Sequence, residues 1–135
     1  MTEPKDIVRR FLETPRLPDG SPDMAMVEEC FAADYWSHTW QGDLAHTAAR
    51  QGRFLACFEP VETIDSDLIA EGDLVVHRSR RRLRHIGDAL GVPATDREVT
   101  VDHIDMWRVT NGKIVEHWGG IGVAGQLHRD LTIGG

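Results

Sequence analysis

The chain has 135 residues, 41% apolar and 27% charged, a balance that fits one globular domain over 1–135 and excludes a disordered or fibrous class. Fifteen basic against twenty-two acidic side chains give a formal charge of −7, which argues against nucleic acid or an anionic membrane surface as partner. No stretch approaches the roughly 18 apolar residues of a membrane span, the N-terminus lacks an apolar leader core, and Cys30 and Cys57 form no paired motif, so a reduced, cytoplasmic protein is expected.

Thr2 and Pro4 read as a helix start, with Ile7, Val8, Phe11 and Leu12 on one stripe before Pro15 ends it. Pro15, Pro18, Asp19, Gly20 and Ser21 form a loop; Ser21 as N-cap and Pro22 at the first helical position then launch a second helix, Met24 to Ala33, buried on Met24, Val27 and Phe31. Asp34 to His38 favours an extended segment through Tyr35 and Trp36. Asp43 caps a third helix whose apolar residues are Leu44, Ala48, Phe54, Leu55 and Phe58, and Pro60 closes it.

Beyond this point the period changes to alternation, which predicts strands at 61–70, 74–86, 97–109 and 114–121. Glu71-Gly72-Asp73 joins the first two strands, and Asn111-Gly112 joins the last two with the two-residue signature of a type I′ hairpin. Helices followed by an antiparallel meander argue for an α+β fold and against a parallel doubly wound sheet.

A two-residue hairpin loop sets Trp107 opposite Glu116 and Asp105 opposite Trp118. Val99, Val101, His103, Asp105, Trp107, Glu116 and Trp118 then share one face, while Asp102, Ile104, Met106, Arg108 and His117 share the other. A carboxylate between indoles is partly desolvated, which raises its pKa and suits it to accept a proton near neutral pH. Asp105 is therefore the candidate acid/base, with His103 two residues away on its face; a structural carboxylate held by a neighbouring Arg or indole N–H is the plainer alternative.

On the strand at 74–86, Val75, His77, Ser79, Arg81, Leu83 and His85 form the better pocket wall, and the opposite face carries most of the arginines, as a solvated or subunit-facing surface. His85 stands at a strand end, where a polar side chain can reach a cavity mouth.

Gly120, Gly122 and Gly125 match a dinucleotide-binding fingerprint, but the ten residues after Gly125 are too few for the rest of that unit. A flexible strand exit is expected there instead. Seven histidines without metal-ligand spacing predict no metal, and no serine elbow is present.

The segment from His85 to Trp118 resembles the SnoaL-like polyketide cyclase family of the nuclear-transport-factor-2-like superfamily. The resemblance rests on His85, Gly91-Val92-Pro93-Ala94-Thr95, Arg97, Ile104-Asp105 before Trp107-Arg108-Val109, and Gly112 through Trp118. Upstream, Phe31-Ala32-Ala33-Asp34-Tyr35 followed by His38 is similar as well. The resemblance implies three N-terminal helices packed on a strongly curved antiparallel sheet in a cone, a homodimer through the sheet surface, and a deep pocket that needs no cofactor.

In the family's cyclases that pocket closes a ring by an intramolecular aldol reaction, with a catalytic acid/base that matches Asp105 and a histidine that matches His103. His103, His85 or His38 would polarise the carbonyl, and His38, Trp36, Trp40, His77, Arg81, Trp107, Glu116 and Trp118 would bind a polyketide-like substrate. An epoxide hydrolase or hydroxylation-assisting role, and non-catalytic binding of an apolar molecule, are the alternatives. Two departures stand out: Gly119, where relatives often carry aspartate, and the arginine-rich stretch 78–84.

Overall fold

The computed structural model describes residues 3–18, 21–120 and 123–133, so the expectations placed on Thr2, Asp19, Gly20 and Gly122 lie outside the described residues. The elements run α1 (Pro4–Glu13), α2 (Met24–Cys30), β1 (Phe31–Ser37), α3 (Leu44–Leu55), β2 (Phe58–Glu71), β3 (Leu74–His85), β4 (Glu98–Thr110), β5 (Lys113–Gly119) and α4 (Val123–Ile133). One sheet of order β1-β5-β4-β3-β2 carries them. It is antiparallel except at β1, which pairs parallel with β5, a correction to the wholly antiparallel expectation.

Local chemistry explains where the elements begin. Pro4 opens α1, and the Asp6 carboxylate accepts from the Glu3 N–H at 3.2 Å. Asp23, rather than Ser21, caps α2, its carboxylate accepting from Ala25 N at 2.9 Å. That helix stops at Cys30 because Phe31 is claimed by pairing with β5, and Lys113 Nζ donates to the carbonyls of Glu28 and Glu29 at its end. The shorter helix buries Met26 and leaves Met24 exposed.

Asp43 caps α3 as expected, accepting from His46 N at 2.9 Å. The helix ends before Phe58, which starts β2, and Pro60 sits inside that strand beside a register shift. An edge strand tolerates a proline because one of its flanks needs no N–H donors.

The expected loose C-terminal exit is a helix. Val123, Leu127 and Leu131 recur every four residues in α4 and bury against Val99, Val101, Leu83 and Phe58. Arg97 ties the helix down by donating to the carbonyls of Asp130 and Leu131, each at 3.3 Å.

A second apolar cluster joins α1 and α2 to the other end of the sheet through Val8, Met26, Val27, Phe31, Tyr35, Val75, Trp107 and Ile114. Phe11 meets Phe31 and Trp107 edge-on, with centroids 5.0 and 5.9 Å away. Between the two clusters the inner face turns polar. Along β3 it reads Val75, His77, Ser79, Arg81, Leu83; along β4, Val101, His103, Asp105, Trp107. Apolar ends seal against helices, and the polar middle is left facing a cavity.

The outer face of β3 is a ladder of ion pairs. Arg78 reaches Asp65 and Asp67 at 2.6 and 2.8 Å, Arg80 reaches Asp102 at 3.1 Å, Arg82 reaches Glu62 at 2.8 Å, and Arg84 reaches Glu98 at 3.3 Å. Each exposed pair contributes about 0–1 kcal/mol.

Candidate active site

The hairpin that carries the site turns as its sequence predicts, with positive φ at Asn111 (53°) and Gly112 (75°). Its register is not the predicted one. Val109 faces Ile114 but Arg108 faces Glu116, so Val115 is an extra residue on β5, a β-bulge. Every side chain beyond it changes face. Trp107 is opposite His117 and Asp105 is opposite Gly119, so His117 joins the inner face and Glu116 and Trp118 leave it.

That shift assembles the centre of the site. Asp105 Oδ1 accepts from His117 Nε2 at 2.8 Å, and His103 Nε2 lies 2.9 Å from Oδ2. Behind His117, Nδ1 is 2.9 Å from Ser37 Oγ, which itself accepts from the Trp40 backbone N–H at 3.1 Å. The ionised Asp105 carboxylate can only accept, so His117 carries a proton on Nε2, and in the neutral ring Nδ1 is then the acceptor for the Ser37 hydroxyl. Ser37 is held in turn by backbone bonds with Gly42, and His38 N donates to His117 O at 2.8 Å.

Asp105 was expected to have a raised pKa. Burial does push it up, but hydrogen bonds and charge from His103 and His117 outweigh burial and bring it down to about 2. The indole expected on its other side, Trp118, is on the outer face. Asp105 is thus a carboxylate anion throughout the neutral range. Facing it across β3, His77 has its pKa lowered by burial, which Asp105 partly opposes. Tyr35 on β1 is pushed above its ordinary value by burial and then by the Asp105 charge, so its phenol keeps its proton.

These groups line a cavity of about 850 Å³, closed elsewhere by apolar side chains such as Phe11, Met26, Val27, Leu44, Leu55 and Trp107. That is room for a drug-sized organic molecule. Of the residues predicted for the site, Asp105, His103, His77, Arg81 and Trp107 line it.

The others do not. The bulge sends Glu116 and Trp118 outward, where His38 pairs with Glu116 at 2.8 Å and stacks on Trp118 with centroids 4.8 Å apart. Trp36 pairs with Glu116 in the sheet and is 43% exposed. Trp40 packs against Phe54 at 6.5 Å. His85 is wholly buried beside Phe58, with Nδ1 3.0 Å from Thr95 Oγ1 and accepting from the Thr95 N–H.

His85→Ala is therefore expected to lower stability by about 2–4 kcal/mol through the cavity it leaves, with turnover by the folded protein unchanged. Denaturant melts and kcat measured side by side check this.

His117, Ser37, Tyr35 and Thr47 were missed by sequence reasoning, whereas Ser79, expected on the pocket wall, lines the cavity. For His117 the available signal was the run Ile114-Val115-Glu116-His117-Trp118, in which unbroken alternation from Ile114 cannot put both Ile114 and His117 inside. Ser37→Ala removes the hydroxyl hydrogen-bonded to His117 Nδ1 behind the Asp105 contact. It is expected to cost about 1 kcal/mol of stability and to slow turnover, measurable by thermal melts and kcat on the same samples.

Both imidazole Nε2 atoms are committed to the Asp105 carboxylate, and among the described residues no group of three His, Cys, Asp or Glu side chains has the arrangement to hold a metal ion. No described helix is long and apolar enough to cross a membrane.

The family model for SnoaL-like polyketide cyclases matches residues 20–129. The chain belongs to that family. The family's members are polyketide cyclases by description, which makes this chain an enzyme-family protein for a small-molecule substrate. Among solved structures it is similar to TsrD from Streptomyces laurentii, at 24% identity and TM-score 0.72 over 98% of both chains. It is also similar to IdmH from Streptomyces antibioticus, a candidate polyketide cyclase, at 24% identity and TM-score 0.67 over 94% of this chain and 99% of that one. AclR from Streptomyces galilaeus, a candidate hydroxylase, shares 20% identity and a TM-score of 0.62, over 86% of this chain and 76% of that one. These likenesses show the same α+β fold, with four helices on a mostly antiparallel five-stranded sheet. Comparison with curated proteins gives no significant match.

Proposed function

We propose that the cavity is the active site of a cyclase-type enzyme that moves a proton on a polyketide-like ketone, with Asp105 and His103 as its acid/base pair. One observation carries this reading: a largely buried carboxylate in an apolar-walled cavity holds an imidazole on each oxygen, and of these two cavity-lining rings His103 is the accessible one, with 26% of its side chain exposed against 6% for His117.

The low pKa of Asp105 divides the labour. A carboxylate near pKa 2 is a weak base toward carbon, and catalysis by proton transfer is most efficient when the acceptor's pKa lies near the working pH. An imidazole is better matched, and a carboxylate hydrogen-bonded to one ring nitrogen stabilises the cation formed when the other takes a proton. His103 accepts the proton and Asp105 supplies the charge behind it, so the general acid/base role assigned to Asp105 is exercised through the pair.

The proton leaves a carbon flanked by two carbonyls, and the electron pair is delocalised into them as an enolate. The enolate carbon forms a bond to a second carbonyl carbon, whose oxygen becomes an alkoxide and takes the proton back from His103. The protonated Tyr35 phenol and the apolar walls favour the organic enolate over bulk water.

Proton exchange tests the reading without knowledge of the natural substrate. An aryl 1,3-diketone incubated with the protein in D2O is expected to exchange its central protons, by NMR, faster than the buffer blank. Binding of the diketone with exchange no faster than the blank is the result of a non-catalytic binding protein and would end the enzyme reading.

A further inference from the structure

Arg81 is the odd member of its strand. Arg78, Arg80, Arg82 and Arg84 on the outer face all reach carboxylates of β2, β4 or the adjoining loop. Arg81 alone points inward, opposite Val101 on β4 and Thr63 on β2, and lines the cavity. No carboxylate pairs with it among the described residues.

The cavity wall contains two carboxylates, and both are committed. Asp43 caps α3 by accepting from His46 N at 2.9 Å. Asp105 is shared between His103 and His117. The acids nearest along the sheet belong to the outer ladder, on the other side of the backbone. A guanidinium facing an apolar-walled cavity without a counter-charge is suited to a ligand that brings one, since the planar fork matches a carboxylate with two parallel N–H donors. The hydroxyls of Thr63 and Ser66 at the same rim add neutral donors.

Resting on the cyclase-type reading of this cavity, we propose that its substrate carries a free carboxylate, bound by Arg81 at the end remote from the carbon that loses its proton. The proton acceptor His103 is level with Ser79, two residues or roughly 7 Å of strand from Arg81, and the Asp105 behind it is level with His77, four residues or roughly 13 Å away. The substrate class is a keto acid with its acid group about one to two rings away from its reacting ketone, rather than an uncharged ester.

The test uses 6-acetyl-2-naphthoate, which has a ketone at one end and a carboxylate at the other, against its methyl ester, by calorimetry. The wild type is expected to bind the acid about tenfold or more tighter than the ester, the size of a charge-assisted pair out of water. Arg81→Met is expected to abolish the difference, Arg81→Lys to keep part of it, and Asp105→Asn to retain it. Failure of the acid to bind the wild type, equal binding of acid and ester, or a preference that survives Arg81→Met overturns the proposal. Preference for the acid without diketone exchange would sink the enzyme reading and leave Arg81 as the anion's partner; exchange without preference would do the reverse.

Discussion

Asp105→Asn is expected to abolish diketone exchange, by about a thousandfold or more, while leaving ligand affinity within a few-fold. The scale is that of removing a positioned acid/base group or the carboxylate behind an imidazole. Asparagine keeps the volume but removes the charge that holds His103, and its amide presents donors where two Nε2–H groups already point. The same variant changes the acid limb of stability. Asp105 has a folded pKa of about 2 against an ordinary 3.8, so its ionised form is favoured by folding. That contribution, about 2 kcal/mol by linkage, is fully present above pH 4 and lost as pH falls through 2, with about half gone by pH 3. Urea unfolding of the wild type should therefore weaken between pH 6 and pH 3 by more than that of Asp105→Asn. Equal pH sensitivity in the two proteins would show that Asp105 is not the depressed carboxylate.

The chemistry of the inner sheet face was legible because it is written in period two. Val75, His77, Ser79, Arg81, Leu83 and Val101, His103, Asp105, Trp107 run apolar, polar, apolar on two strands whose pairing puts the polar middles side by side. Faces within each of these strands follow from alternation alone. What alternation cannot reveal is an extra residue. Val115 is apolar and β-branched, as good in a regular strand as in a bulge, so nothing local marks it. Its insertion moved Glu116 and Trp118 out and His117 in.

The helices show the complementary limit. Asp43 announces α3 because its capping bond is local, made to His46 three residues on. The end of α2 is not local. Phe31 leaves the helix to pair with β5, more than eighty residues later, and propensity yields to that pairing. The fourth helix had a readable stripe in Val123, Leu127 and Leu131, which the nearby glycines Gly120, Gly122 and Gly125 masked by suggesting a loop.

Gly119→Ala is expected to be the most damaging single methyl in the sheet. Asp105 and Gly119 face each other across β4 and β5, and a Cβ at Gly119 would lie 2.1 Å from Asp105 Oδ1 and 2.8 Å from Asp105 Cα. The side-chain oxygen could swing away only by breaking its bond to His117; the Cα is backbone and cannot. The strands would have to part at the point where the Gly119 N–H donates to Thr39 Oγ1 at 2.7 Å and Gly119 O accepts back at 2.8 Å. Overpacking of this kind costs about 1–3 kcal/mol in ordinary cores, and here it displaces the Asp105 carboxylate too. Turnover should fall with Gly119→Ala to near the level of Asp105→Asn, accompanied by a lower melting temperature that Asp105→Asn at neutral pH need not share in full. An aspartate at this position would need a differently placed partner strand or a rotated Asp105. The absence of a side chain at 119 is thus what lets β5 come close enough for His117 to reach Asp105, and an active, normally stable Gly119→Ala protein would show that the two strands are not held at this separation.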